Sequence, residues 1–255
     1  MTASIRREVP PMTWPVAVAH PRANGLVRPD WPRSSLAVAA RGILRRPLLA
    51  LLDLIVPVEV HGREHIDRLD GPALLVANHT SHLDTLAILR ALPELWRRRL
   101  AVGAAADYFF DRPLVGVIAS LLVNAFPFPR TMAAREGLVR SSRLLADGWS
   151  VLLFPEGTRS ATGRIASFRG GIGRVGITTG VPVVPIYLTG LFDAMPRGCR
   201  VPRRHPASVT FGSPLTFAGT TPGAVATAAI EAAVRALAAA RAEGAYPYAW
   251  GQLIA

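Results

Sequence analysis

The chain of 255 residues contains no lysine, only one cysteine and few acidic side chains. Its single cysteine, Cys199, cannot close a disulfide within the chain, so we expect a protein of a reducing compartment. All 29 basic residues are arginines, against 17 acidic residues, and the formal net charge is +12. This excess favours negatively charged partners, namely anionic membrane surfaces, phosphate-bearing substrates, acidic carrier proteins or nucleic acid.

The sequence also lacks an unbroken apolar run of the about 20 residues that a membrane-spanning helix needs. The closest candidate, residues 34–58, is interrupted by Arg41, Arg45, Arg46 and Pro47, and three arginines argue against spanning. We expect a bent pair of short helices instead, with Pro47 in the first turn of the second. Their leucines would enter the acyl boundary while the arginines meet lipid phosphates. The alternative is that these leucines pack on the core of the domain.

Half of the residues are apolar, which suffices for the core of one domain. Residues 1–33 carry scattered prolines and charges without the apolar centre of a secretory signal, so we expect a loose N-terminal extension. The predicted organisation is this extension, a membrane-interfacial helical segment at residues 34–58 and one folded domain at residues 59–255.

Alternating strand-like and helix-like segments predict an α/β layered domain with a mixed, largely parallel central sheet flanked by helices, preceded by the amphipathic segment. The predicted strands are residues 73–77, 100–104, 124–128, 150–154, 182–188 and 207–211. The predicted helices are residues 82–91, 113–123, 132–146, 171–179 and 222–242. The apolar residues 113–129 could line a groove for an acyl chain or form a plain core helix.

The most informative segment is residues 78–84, Asn-His-Thr-Ser-His-Leu-Asp, directly after an apolar strand. It places His79 and Asp84 five positions apart, and on one continuous helix these would point about 140° apart. A turn followed by a helix that begins near His82 would let Asp84 reach back to the imidazole ring. The pair then resembles a general base and its orienting carboxylate.

Three other interpretations of this segment remain open. Ser81 and Asp84 fit a helix-capping pattern, which is compatible with catalysis. His79, His82 and Asp84 could bind a metal, but zinc sites need further His or Cys ligands and no suitably spaced partner occurs, so we expect no metal. His79 could also be a structural histidine.

A second polar segment follows another apolar strand, where residues 151–160 end in Pro-Glu-Gly-Thr-Arg-Ser. The glycine would let backbone N–H groups approach an anion, and Arg159 offers a planar fork of donors suited to phosphate. Residues 167–171 place Arg169 before a glycine pair, and residues 180–187 form a strand bounded by prolines. Each of these segments alone is also compatible with an ordinary loop or an edge strand.

In their order and spacing, the segments resemble the glycerolipid acyltransferase family, the lysophosphatidic acid acyltransferases and their relatives. The four matching blocks are residues 78–84, 126–130, 154–159 and 181–185. The second block, Phe-Pro-Phe-Pro-Arg, departs from the commoner aromatic-Ile-Asp-Arg wording but still ends in an arginine, Arg130.

The resemblance implies transfer of a fatty acyl group from acyl-CoA or acyl carrier protein to the free hydroxyl of a lysophospholipid, foremost 1-acyl-glycerol-3-phosphate. His79 would be the general base and Asp84 its partner, with direct attack by the acceptor hydroxyl, so Ser81 would not be acylated. The resemblance also implies a substrate-binding set that holds the glycerol phosphate: Arg130, Glu156, Gly157, Thr158, Arg159 and Arg169. Glu156 would orient the arginines or a glycerol hydroxyl.

No cofactor is expected beyond the acyl thioester, which is a co-substrate. The expected partners are the lipid and thioester substrates, an anionic membrane surface, and acyl carrier protein as one of the two possible donors. We expect the protein at the cytoplasmic face of the cell membrane, attached as a peripheral or monotopic protein. The alternatives are an acyltransferase for another lyso-lipid, or a non-catalytic basic protein that binds membranes or nucleic acid. The dispersed arginines argue against nucleic acid.

Overall fold

One seven-stranded sheet organises the described part of the chain, which is residues 31–129 and 134–244 of a computed structural model. The strands are β1 (Val58–His61), β2 (Leu74–Ala77), β3 (Leu100–Ala105), β4 (Ala125–Phe128), β5 (Ser150–Leu153), β6 (Val183–Thr189) and β7 (Ala207–Phe211). Their order in the sheet is β1-β7-β6-β2-β5-β3-β4. The five strands from β6 to β4 are mutually parallel, whereas β7 is antiparallel to β6 and parallel to β1.

Helices cover both faces of this sheet. They are α1 (Ser35–Ile55), α2 (Glu64–Asp67), α3 (Asp84–Ala91), α4 (Glu94–Arg98), α5 (Ala106–Phe109), α6 (Pro113–Val123), α7 (Ala134–Ala146), α8 (Ile172–Thr179), α9 (Leu191–Ala194) and α10 (Gly223–Ala242). Along β2, Leu75 and Ala77 pack towards α1 and α3, whereas Leu74 and Val76 pack towards α7, α8 and α10. A central parallel strand buried on both faces reads as a continuous apolar run rather than an alternating one.

The predicted fold class is therefore confirmed. Every predicted strand and helix has a counterpart whose described ends differ from the prediction by at most two residues. The sequence analysis did not identify β1 or the four short helices α2, α4, α5 and α9. Strand β1 lies at an edge of the sheet and is only partly buried, so its residues do not form the apolar run that marks the central strands.

The expected bent helix pair at residues 34–58 is wrong, because α1 is a single helix that continues through Pro47. Ser34 caps it, its hydroxyl accepting a hydrogen bond from the Ala37 amide. A proline inside a helix removes one backbone hydrogen bond and is unfavourable. Packing compensates, since Leu49 and Leu52 are buried in the core with α3.

The arginines of α1 also depart from the expectation. Arg41 and Arg45 are 1% and 5% exposed, so they lie inside the fold rather than on the outer surface of α1, whereas Arg46 is exposed. Their guanidinium groups donate to backbone carbonyls of residues far along the chain: Ser120, Leu121 and Leu122 of α6, and Arg97 of α4. The last carbonyls of a helix lack intrahelical partners and favour a cation, so these two arginines cap α6 and fasten it to α1.

Only some of the apolar side chains of α1 are exposed, as contact with a membrane would require. Leu36, Ile43 and Leu54 are 81%, 69% and 71% exposed. They are seven and eleven positions apart, which at about 100° per residue places them in one row along the helix. The helix thus has an exposed apolar row, defined by these three residues, opposite a buried face that carries Arg41 and Arg45.

Within residues 31–129 and 134–244, α10 is the one helix long and apolar enough to cross a membrane by length and composition. It packs against α8 and β6. The contact with α8 is close, because a side chain at Gly173 would collide with the backbone of Gly223 and Thr227. Its role in this structure is that of an outer helix of the α/β layers.

Candidate active site

Two loops meet where the neighbouring parallel strands β2 and β5 end. Residues 78–83 follow β2, and residues 154–171 follow β5. The Ser160 amide donates to the His79 carbonyl at 2.8 Å, which joins the loops directly. A cavity of about 280 Å³ lies at this end of the sheet, where open α/β folds usually bind their ligands.

His79 and Asp84 contact each other as the turn argument predicted. The His79 Nδ1 atom lies 2.8 Å from Asp84 Oδ2. The carboxylate is fully buried, whereas the imidazole is partly exposed and lines the cavity. With Nδ1–H donating to the carboxylate, Nε2 is the ring nitrogen left to accept a proton.

Further donors fix the Asp84 carboxylate in place. It accepts hydrogen bonds from the Thr80 amide at 2.6 Å and the Ser81 amide at 2.9 Å, and from the Thr80 hydroxyl at 3.3 Å. The bond from the Ser81 amide is half of a capping box. The Ser81 hydroxyl is itself fully buried and donates to the Met195 carbonyl. Asp84 therefore both orders the start of α3 and orients His79.

The Glu156 carboxylate connects the loop after β2 to the loop after β5. Oε1 accepts a hydrogen bond from the His79 amide at 2.8 Å, and Oε2 accepts one from the Ala166 amide at 2.9 Å. Burial raises the pKa of the Glu156 carboxyl, and these two hydrogen bonds oppose that rise. The structure places this side chain as a brace between backbone segments, whereas the sequence analysis assigned it to orienting arginines or a glycerol hydroxyl.

Four of the predicted substrate-binding residues line the cavity beside His79: Gly157, Thr158, Arg159 and Arg169. Gly157 adopts φ +74°, and a side chain there would collide with the guanidinium of Arg169. Glycine is therefore required both by the backbone conformation and by the close approach of this arginine.

Arg130 lies outside the described residues, so its role stays a prediction. Pro129 and Ala134, on either side of residues 130–133, both line the cavity.

Several residues at the cavity escaped the sequence analysis as site residues. His82, Tyr108, Phe109 and Arg197 all line it. His82 stacks on Tyr108, with 3.3 Å between its Nε2 and the tyrosine hydroxyl. Burial first, and then the positive charges of Arg159 and His79, lower the pKa of His82 to about 4. His82 is the second histidine of the block at residues 78–84, and this position was the only signal that could have identified it.

Much of the cavity lining is apolar. These apolar residues come from β3, β4, α6, α7 and the end of β5, and include Val102, Ala119, Val123, Phe128, Leu138 and Leu153. Ala119 and Val123 belong to α6, the helix for which an acyl-chain groove was considered. One cavity thus combines an imidazole, guanidinium groups and an apolar compartment. Within the described residues no group of three or more His, Cys, Asp or Glu side chains is placed to hold a metal.

The chain is similar to known proteins in sequence and in fold. A sequence model of the Acyltransferase family matches residues 57–189. The chain is 36% identical over 143 residues to a chloroplastic 1-acyl-sn-glycerol-3-phosphate acyltransferase of Arabidopsis thaliana, covering 55% of this chain and 38% of that one. It is 30% identical over 164 residues to the alpha form of this enzyme from Homo sapiens, covering 59% and 52%.

A crystal structure of the 1-acyl-sn-glycerophosphate acyltransferase PlsC from Thermotoga maritima has the same fold, with a TM-score of 0.61, 23% identity and 80% of each chain covered. The chain spans between about two fifths and just over half of the length of the two curated relatives.

We predict that His82 makes stability fall in mild acid. The unfolded chain protonates His82 near its ordinary pKa of 6.5, whereas the folded protein does so only near pH 4. Between these values the unfolded state binds more protons, so the free energy of unfolding decreases as the pH falls. In denaturant titrations, the free energy of unfolding should fall less between pH 7 and pH 5 for His82→Gln than for the wild type. The partly exposed His205, changed to Gln, is the control. Equal losses of unfolding free energy in wild type and His82→Gln would contradict the prediction.

Proposed function

The chain belongs to the Acyltransferase family, and from this we propose that it transfers a fatty acyl group from an acyl thioester to the free hydroxyl of a lysophospholipid, foremost 1-acyl-glycerol-3-phosphate. The observation that carries the proposal is the His79–Asp84 pair, 2.8 Å apart, beside a cavity lined by both arginines and apolar side chains. Purified protein offered acyl-CoA and acyl carrier protein donors with a panel of lyso-lipids tests it. Identification of the products by mass distinguishes the acceptors and donors.

In this mechanism His79 Nε2 takes the proton of the acceptor hydroxyl as its oxygen attacks the thioester carbonyl. The tetrahedral intermediate collapses with cleavage of the C–S bond, and the protonated His79 returns its proton to the thiolate. Asp84 holds the required tautomer and stabilises the imidazolium. The buried Ser81 hydroxyl, which donates to the Met195 carbonyl, is not placed as an alternative nucleophile.

Arg159 and Arg169 are proposed to hold the phosphate of the acceptor. Both line the cavity next to His79, and a guanidinium presents donors in the geometry that phosphate oxygens accept. Gly157 and Thr158 complete this side of the cavity. The apolar compartment is proposed to take an acyl chain, since burying each methylene contributes about 0.8 kcal/mol. No cofactor is needed, because the thioester itself supplies the activated acyl group.

Peripheral or monotopic attachment to the cytoplasmic face of a membrane is proposed through the exposed apolar row of α1. Leucine and isoleucine at a membrane interface bury their side chains among acyl chains. The net charge of +12 adds attraction to anionic headgroups, which is screened by salt.

We predict that His79→Ala lowers kcat by about 10²–10⁴, the usual contribution of a general base, with little change in melting temperature. Asp84→Asn should lower kcat as well, and because this carboxylate also orders α3 it should lower the melting temperature. Ser81→Ala is the control and should retain turnover per folded molecule. Near-normal turnover of folded His79→Ala would overturn the assignment, as would acylation of Ser81.

We predict that Arg159→Ala raises the acceptor KM or lowers kcat/KM for the acceptor by about one to two orders of magnitude, since a charge-assisted hydrogen bond contributes roughly 1.5–3 kcal/mol. Arg159→Lys should restore only part of the lost kcat/KM for the acceptor, because an ammonium group cannot form the bidentate contact. Arg164, exposed in the same loop and outside the cavity, is the matched control as Arg164→Ala. If KM for the donor rises instead, the arginine binds the phosphates of the donor.

We predict that changing Ile43 and Leu54 together to Gln releases the protein from phosphatidylcholine vesicles made anionic with phosphatidic acid, in a sedimentation assay, without loss of helix content. Deleting α1 would be a poorer test, because Leu49 and Leu52 belong to the core. Val201, an exposed valine in a loop, is the control as Val201→Gln. Added salt should also weaken binding of the wild type, and unchanged sedimentation of the double variant would place the attachment elsewhere.

A further inference from the structure

A second cavity lies between α1 and α4, and none of its lining residues lines the catalytic cavity. Its walls are basic, with arginines contributed by both helices: Arg41, Arg45 and Arg46 from α1, and Arg97 and Arg98 from α4. Glu94 is the one acidic residue among the lining side chains. We call this the α1–α4 cavity.

Three donor nitrogens of these arginines have no acceptor within the described part of the chain. Arg41 Nη1, Arg45 Nη2 and Arg97 Nε are buried and form no hydrogen bond with any described residue. The other nitrogens of Arg41 and Arg45 donate to backbone carbonyls. Because a guanidinium is planar, those bonds also fix the direction of the remaining donors. Leaving buried donors unsatisfied is unfavourable, so we expect a hydrogen-bond acceptor to bind beside them.

The residues that line the α1–α4 cavity also carry an excess of positive charge. Burial, and then the positive charges of Arg41 and Arg97, lower the pKa of Arg45 to about 9, while Glu94 opposes this shift. The Glu94 carboxylate is about half exposed and contacts Arg98 at 3.1 Å and Arg97 at 3.4 Å. One partly solvated carboxylate therefore faces five guanidinium groups.

We propose that the α1–α4 cavity binds a phosphate-type oxyanion. The void measures about 20 Å³, which is about the room that one water-sized oxygen atom requires. One oxygen of the anion would accept from the buried N–H groups, while the remaining oxygens face Arg46 and Arg98, which are exposed to solvent. This recognition does not depend on the acyltransferase activity proposed above.

The surroundings favour the phosphate of a lipid headgroup over free phosphate. Ile43, in the exposed apolar row, precedes Arg46 by three positions, so the two are neighbours on the helix surface. Leu95 of α4, next to Glu94, is 79% exposed. Exposed apolar side chains beside a basic cavity suit a molecule with a phosphate attached to acyl chains.

Gly42 allows the proposal to be tested without breaking a hydrogen bond. It lines the α1–α4 cavity, and a Cβ atom built on it meets no atom within 4 Å. A leucine there would occupy the space of the anion, whereas an alanine would leave most of it open. Both substitutions are favourable for a helix interior compared with glycine.

The first arm of the experiment measures inorganic phosphate binding by titration calorimetry at constant ionic strength. Gly42→Leu should raise the Kd of this site by about tenfold or more, the loss expected when charge-assisted hydrogen bonds are removed, while Gly42→Ala should resemble the wild type. Glu94→Gln should lower the Kd several-fold, because it removes the competing carboxylate. Identical phosphate binding in all four proteins would overturn the proposal. If Gly42→Leu does not fold, absence of tighter binding in Glu94→Gln overturns it.

The second arm identifies the source of the phosphate. Wild type, Gly42→Ala and Gly42→Leu are sedimented with phosphatidylcholine vesicles that contain or lack phosphatidic acid. A lipid headgroup is the ligand if Gly42→Leu loses the preference for phosphatidic acid and Gly42→Ala keeps it. If Gly42→Leu binds phosphate more weakly but keeps the preference for phosphatidic acid, the ligand is a soluble phosphate compound instead. The catalytic cavity is unchanged in both Gly42 variants, so failure of this proposal is distinguishable from failure of the proposed activity.

Discussion

The hydrogen bond from the His79 amide to the Glu156 carboxylate is the contact on which the site depends. It joins the loop after β2 to the loop after β5, and the same carboxylate holds the Ala166 amide. On the other side of β2, the Asn78 side chain exchanges two hydrogen bonds with Leu188 of β6. His79 therefore follows a strand whose position relative to both of its neighbours, β5 and β6, is supported by polar contacts. Such contacts are costly to leave unmade, and so they specify one arrangement.

Much of this arrangement follows from the sequence. The apolar runs of the central strands are short and end at Asn78 or at the Pro-Glu-Gly-Thr-Arg turn, so strand positions and their polar exits could be predicted. The contact between His79 and Asp84 could be predicted too, because five positions are incompatible with one helix face but compatible with a turn before a helix. Four substrate-binding candidates then fall in one cavity because parallel strands deliver their loops to one edge of the sheet.

What the sequence could not reveal depends on contacts between distant segments. Arg41 bonds to the Leu121 carbonyl, 80 positions away, and no local pattern distinguishes a buried arginine that caps a helix from one that faces lipid. The backbone partners of Glu156 could not be predicted for the same reason, since Ala166 lies in an irregular loop far along the chain. His82 and Tyr108 are 26 positions apart, and only the fold brings them together.

Helix α1 connects the proposed membrane surface to the chemistry. Its buried arginines donate hydrogen bonds to the C-terminal carbonyls of α6. Helix α6 in turn contributes Ala119 and Val123 to the apolar lining of the cavity. Its opposite face exposes the apolar row. One helix therefore both meets the proposed lipid surface and holds a wall of the compartment proposed for the acyl chain. The proposed attachment surface and the wall of the proposed acyl compartment are thus joined through a single helix.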